Sequence, residues 1–237
     1  MFDIIGAIGD TATYALLVGV LVWFSPLSGS KKLAVLAAAT VWGMVIAAVA
    51  GGGGFAPGVI GPLPAPALPL VAFLALLFGS WLLSARFRSA LQSVPMPVLV
   101  GLNVARIGGI FFLILAAQGG LSAPFAPSAG WGDIITGVLA IPLTIAVARS
   151  GDFPVALDLW NAFGALDLVA AISLGLLSAP GTPFRLFFEA PGTLAMSGFP
   201  WVMVPSLLVP LYLVIHLAIA AKLRSSPPIT HAAVMAS

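Results

Sequence analysis

The 237-residue chain has no cysteine and very little charge. The missing thiols exclude disulfides, thiolate metal centres and a cysteine nucleophile. Charged residues make up 7% of the chain, against roughly 25% in a soluble domain. Hydrophobic side chains make up 61%, more than a chain of this size can hide in its own interior. A water-soluble enzyme, a coiled coil and a disordered chain are thereby excluded. Nine basic and seven acidic residues give a net charge of +2, which is no footprint for nucleic acid. Histidine is scarce as well. His216 and His231 are the two present, and only His216 falls in an apolar run, so neither an HExxH zinc site nor a bis-histidine haem is available. No serine stands in a nucleophile elbow. No cofactor is expected.

What the chain does have is a succession of apolar runs. A bilayer core of about 30 Å takes about 20 apolar residues per helix. Seven runs fit: 4–24, 33–50, 68–85, 97–117, 130–148, 154–177 and 200–221. The first has to begin near Ile4, because the uncharged run from Thr11 to Phe24 is too short, and this places Asp10 below the membrane surface. It lacks the basic flank and cleavage site of a signal peptide. The expected fold is all-α, a polytopic seven-transmembrane-helix bundle in one domain, 1–222, with a disordered tail, 223–237. Lys31, Lys32, Arg86, Arg88, Arg149, Lys222 and Arg224 fall on one side and Arg185 on the other. The positive-inside rule then puts the N-terminus outside and the C-terminus in the cytoplasm, across an inner (plasma) membrane of bacterial type. Trp23, Trp81 and Trp160 are placed near the inner interface, Trp131 and Trp201 near the outer one, and Trp42 between helices.

The connections carry little chemistry. The stretch 51–69 is too rich in glycine and proline for regular helix. Its Gly-Gly-Gly-Gly at 51–54 lacks the lysine and helix start of a phosphate cradle, and reads as a spacer. Phe184, Arg185, Leu186, Phe187, Phe188 and Glu189 read as a short amphipathic segment at the outer interface. Leu-Ser-Ala-Pro occurs at 121–124 and at 177–180, a match that composition alone explains. Gly43, Ala47 and Gly51, and again Ala140, Thr144 and Ala148, form small-residue stripes suited to close helix packing. Pro142, Pro205 and Pro210 are expected to kink their helices.

The informative residues are the ionisable ones inside the spans. Each costs roughly 2.5–3.5 kcal/mol at mid-membrane, so each is paired, hydrated or functional. Arg106 lies midway along its run, with Asn103 one turn before it. Asp167 falls at the same depth on the sixth run and is the expected counter-ion, whereas Asp158 faces the other way and nearer the cytoplasm. Asp133 is read as an N-terminal helix cap. Asp10 is deeper and has no such explanation. Three acids against one arginine leave the outer half net negative, to be compensated by protons, a cation or water. Asn103, Asn161 and His216, with Tyr212 one turn from His216, form a second polar layer nearer the cytoplasm.

Three functions follow. The leading one is a small transporter or permease-like protein, with Arg106 and Asp167 binding a small polar or protonatable solute. Asp10 and Asp133 tune access, and Asn103, Asn161, His216 and Tyr212 continue the path. The second is a non-catalytic membrane subunit or assembly factor, with structural charges and an oligomer or partner subunit. The third is a lipid-modifying membrane enzyme. A retinal protein is rejected, because Lys222 lies at the cytoplasmic end rather than mid-span. Pigment or lipid bound without a covalent link stays open. The surroundings are the lipid bilayer, and no nucleic-acid partner is expected.

Overall fold

A computed structural model describes residues 2–150 and 155–225. These residues form an all-helical bundle without named strands. The helices are α1 (Phe2–Phe24), α2 (Gly29–Gly51), α3 (Ala67–Leu83), α4 (Ala85–Gln92), α5 (Met96–Leu102), α6 (Ile110–Ala117), α7 (Phe125–Ser150), α8 (Val155–Leu177) and α9 (Val209–Ser225). A 3-10 segment, Asn103–Gly109, joins α5 to α6, and a π-helical turn, Val204–Leu208, leads into α9. Among the described residues, six helical stretches are long and apolar enough to cross a membrane. They are α1, α2, Met96–Ala117, α7, α8 and Val204–Ser225. This is the architecture of a multi-pass integral membrane protein.

The third predicted run behaves differently. Its helix α3 stops at Leu83 and meets α4 at a 98° bend. Ser84 causes the break. It takes an extended conformation, and its hydroxyl accepts a hydrogen bond from the Phe87 amide at 3.2 Å. That is an N-cap, and it starts a new helix in a new direction. Arg88 then folds back, donating to the Trp81 and Leu82 carbonyls left open at the end of α3. Pro97 opens α5, where a missing amide costs nothing. Pro205 sits inside the π-helical turn, which opens the helix where its ring cannot join the usual ladder. Helix α7 runs through Pro142 without interruption and begins at Phe125, five residues before the predicted start.

Packing is uneven. Helix α7 lies against α5, the 3-10 segment, α6 and α8, while α8 packs on α9. Leu99, Leu157, Leu207, Ile215 and Ile219 are fully buried between these elements. Helix α2 is peripheral and buries only Ile46 and Ala50. The expected small-residue stripes account for little of the closest packing. Gly43 takes the edge of the Tyr14 ring and Thr144 meets Gly101, but Gly51 faces open space and Ala148 is exposed. The close approaches occur at other glycines. A Cβ on Gly137 would lie 2.7 Å from the Ile107 amide nitrogen, and one on Gly130 would lie 3.1 Å from the Gly109 carbonyl oxygen. The backbones of α7 and the 3-10 segment therefore touch.

Other expectations need correction. Trp160 and Trp201 are buried and hydrogen-bonded; they donate to the Thr136 carbonyl and to Asp3. Trp23 and Trp131 are exposed. The segment 184–189 is an irregular loop in which Arg185 donates to the Phe187 and Glu189 carbonyls. The Leu-Ser-Ala-Pro pair has a shared structural use, since Ser122 and Ser178 both hold the backbone at Gly192 and Thr193. The tail expected from Leu223 begins as helix to Ser225, and residues 226–237 lie outside the described ones, as does Pro154.

Gly137→Ala is expected to lower thermal stability in detergent, by about 1–3 kcal/mol, because backbone atoms must move. Gly79→Ala, with nothing within 4 Å of the added methyl, is expected to hold or gain stability by about 0.5–1 kcal/mol. A Gly137→Ala midpoint equal to wild type would remove the close-approach argument.

Candidate functional site

The Arg106 side chain is 1% exposed at the centre of the bundle. It leaves the 3-10 segment, whose tighter winding brings its backbone against α7. Four of the five guanidinium N–H groups have protein acceptors. Nε donates to Asp133 Oδ1 at 2.6 Å and one Nη2 proton to Asp167 Oδ2 at 2.6 Å. The two Nη1 protons go to the Gly164 carbonyl at 3.1 Å and to His216 Nε2 at 3.0 Å. The pair with Asp167, expected from depth alone, is therefore present.

Asp133 is no cap. Because α7 starts at Phe125, Asp133 lies two turns inside it and gives Arg106 a second carboxylate. Two acids on one guanidinium also explain the glycines. A Cβ on Gly132 would collide with the Asp167 carboxylate, and one on Gly109 with the Asp133 Cβ. A Cβ on Gly164 would lie 2.6 Å from the His216 ring. Each acid reaches Arg106 because the neighbouring backbone carries no side chain at that point.

The second polar layer merges with the first. An arginine nitrogen only donates, so His216 Nε2 accepts. The ring proton then sits on Nδ1, which donates to Asn161 Oδ1 at 2.8 Å. Asn161 Nδ2 donates in turn to the His216 carbonyl at 3.2 Å. Asn161 thus sets the tautomer that lets His216 face Arg106. Asn103 does not join. Its amide donates to the Leu99 carbonyl of its own helix at 3.0 Å. Asp158 is exposed in the first turn of α8, away from the site.

On one side of this network lies a cavity of about 230 Å³. Asp10, Thr13, Arg106, Asp133 and Tyr212 supply its polar wall. Asp167 is not part of that wall and holds Arg106 from behind. The Tyr212 ring lies under the guanidinium, 5.7 Å from the ring centre to Cζ. Two buried atoms on the cavity residues, Asp10 Oδ2 and the Tyr212 hydroxyl, have no hydrogen-bond partner among the described residues. Asp133 also lines a second, apolar cavity of about 90 Å³ reached from Phe55, Pro57 and Pro64 of the 51–69 connection. It therefore stands between the two spaces. Among the described residues, no cluster of histidine and acidic side chains suits a metal ion.

Sequence reasoning placed the charges by depth but left out Gly132, Gly137 and Gly164, the residues that let them meet. Their signal was the run Gly130, Gly132 and Gly137 along one span opposite Gly108 and Gly109 on another. A family described as a domain of unknown function, DUF8737, matches residues 63–224. That is more than half of the chain, and the chain belongs to this family. The matched part carries Arg106, Asp133, Asp167, Asn161, Tyr212 and His216; Asp10 on α1 precedes it. No curated protein and no solved structure matches.

Arg106→Leu leaves two carboxylates facing each other and is expected to cost about 3–5 kcal/mol of stability. Replacing both acids in the same background, Asp133→Asn with Asp167→Asn, is expected to recover part of that loss. Unfolding midpoints of the single, double and triple variants check this, and strictly additive losses would contradict a shared network.

Proposed function

We propose that this DUF8737 protein is a small carrier, permease-like in action, that binds a polar or protonatable solute beside Arg106. The observation that carries the reading is the cavity at mid-bundle whose wall includes Asp10, Arg106, Asp133 and Tyr212. A charge network serving packing alone is normally closed around itself, because an unsatisfied buried polar group costs about 1–3 kcal/mol. Here Asp10 and Tyr212 leave polar atoms unpaired at the cavity while the arginine is well satisfied. Asp133 lines both that cavity and the apolar space beside Phe55, Pro57 and Pro64 of the 51–69 connection, which in this reading is the entry side. Residues Asn161 and His216 orient the guanidinium, and Asn103 contributes packing.

The working topology has seven crossings, with α3 and α4 as the bent one, the N-terminus outside and the C-terminus in the cytoplasm of a plasma-type membrane. Seven basic positions against one support that direction. The chain's lack of cysteine makes the test direct. Ser30→Cys is expected to react with an impermeant maleimide only from the cytoplasmic side, and Glu189→Cys only from outside. Labelling of both from one side would reverse or break this topology.

Transport itself is tested in proteoliposomes against a panel of small polar solutes, with and without a pH gradient. Uptake above empty liposomes is expected, reduced at least tenfold in Asp133→Asn with the fold retained. Absence of uptake for every solute under both conditions would leave the structural subunit as the better reading.

A further inference from the structure

The solute site just described has a sign and a chemistry, and the inference rests on that reading of the cavity. Arg106 is not free to attract an anion. Its side chain is 1% exposed, and carboxylates occupy two of its three nitrogens. The second guanidinium-bound acid leaves the Arg106, Asp133 and Asp167 group without positive charge to spare. Asp10 then adds a carboxylate that no basic side chain among the described residues meets. Asp10 is 9% exposed, its Oδ2 has no hydrogen-bond partner among the described residues, and it lines the cavity. The charged and ionisable groups on the cavity wall are Asp10 from α1, Arg106 from the 3-10 segment, Asp133 from α7 and Tyr212 from α9. Counted by formal charge, two carboxylates stand on that wall against one guanidinium.

The rest of the wall is apolar, with aliphatic side chains such as Leu168, Val204 and Leu208 beside a cluster of rings. Phe111, Phe112, Trp201 and Tyr212 all face the space. Trp201 is held in place from both ends, stacked on Phe2 at 5.3 Å and donating its indole N–H to Asp3 at 3.0 Å. Aromatic faces attract organic cations, and walls of this kind bind ammonium groups without hydrogen bonds. A hard inorganic cation takes six or more oxygen ligands; two carboxylates amid aromatic rings do not provide such a cage. The volume of about 230 Å³ lies below the roughly 300–1,000 Å³ of sites for drug-sized ligands.

We propose that the cavity binds a small organic monocation of the ammonium class. Asp10 forms the ion pair, the Tyr212 hydroxyl accepts a hydrogen bond where an N–H is present, and Trp201 and Phe111 pack on the alkyl part. Arg106 is the positioning residue that holds Asp133 and Tyr212 at the wall.

The test is calorimetric titration of the full-length protein in detergent micelles. The probes are the chlorides of methylammonium and tetramethylammonium, with potassium chloride and sodium acetate as comparisons. Saturable binding is expected for the ammonium salts and none for potassium or acetate. Asp10→Asn is expected to weaken ammonium binding about tenfold or more, as loss of one charge-assisted contact does, while Asp10→Glu keeps most of it. Should Asp10→Asn fail to fold, Trp201→Leu and the quenching of wild-type tryptophan fluorescence by tetramethylammonium read the same site. Wild type binding no ammonium probe, or acetate binding in its place, would overturn the proposal, as would undiminished affinity in folded Asp10→Asn. The outcome is separable from the carrier reading. Ammonium binding without uptake in liposomes keeps the site and removes the carrier; uptake of a neutral or anionic solute without ammonium binding does the reverse.

Discussion

A guanidinium buried at mid-bundle has to be met by the protein wherever it does not face the cavity. Arg106 draws on α7 through Asp133, on α8 through Gly164 and Asp167, and on α9 through His216. Each bond is directional, so together they fix the depth and rotation of three helices around the 3-10 segment. In lipid, apolar packing alone gives weak orientational preference, because the acyl chains are as apolar as leucine. A single multidentate donor supplies the preference that the hydrophobic effect cannot. The most buried span, Val204–Ser225, carries His216, while α2, which gives Arg106 no partner, stays peripheral.

The backbone had to yield for this to happen. An α-helical path for 103–109 between two neighbours carrying side chains would hold the acids away from the guanidinium. The 3-10 winding at that place, together with Gly109, Gly130, Gly132, Gly137 and Gly164, brings the helices close enough for two short ion pairs. Glycine costs helix stability in a monomeric helix. Its presence at these positions follows from collisions that a methyl group would create with Asp133, Ile107, Asp167 or His216.

Depth along the membrane normal is a one-dimensional quantity, and hydropathy reports it well. That is why most of the helices, and the pairing of Arg106 with Asp167, were legible in the residues alone. Rotation about a helix axis and the true start of a helix are not. Asp133 looked like a cap because its helix was started at Gly130; five earlier residues, including a proline, proved helical and moved it two turns inward. Asn103 and Asn161 share a depth and residue type, yet one turns back to Leu99 and the other clasps His216. Trp160 and Trp201 are read by depth alone from the sequence, whereas the partners of their indole N–H groups, the Thr136 carbonyl and Asp3 in the first turn of α1, depend on helix rotation. Ser84, whose capping hydroxyl ends the third run, carries no hydropathy signal at all.

Two observations together set Asp10 apart from the arginine network: a carboxylate oxygen without a partner among the described residues, and a place on the cavity wall. Arg106, His216 and Asn161 are buried, Asp133 and Asp167 are half-buried, and the five are bonded to one another, which is what a fold-determining network requires. Asp10 is more buried than either of those acids, yet its Oδ2 meets no donor among the described residues, and the hydroxyl of Tyr212 at the same cavity is likewise without a partner among them. If α1 served only to fill space, a leucine at that place would avoid the desolvation penalty of a carboxylate. A cation in the cavity, as proposed, would supply the partner that the described residues do not. The arginine network makes the wall; the acid on α1, which lies ahead of the family-matched segment, gives that wall its charge.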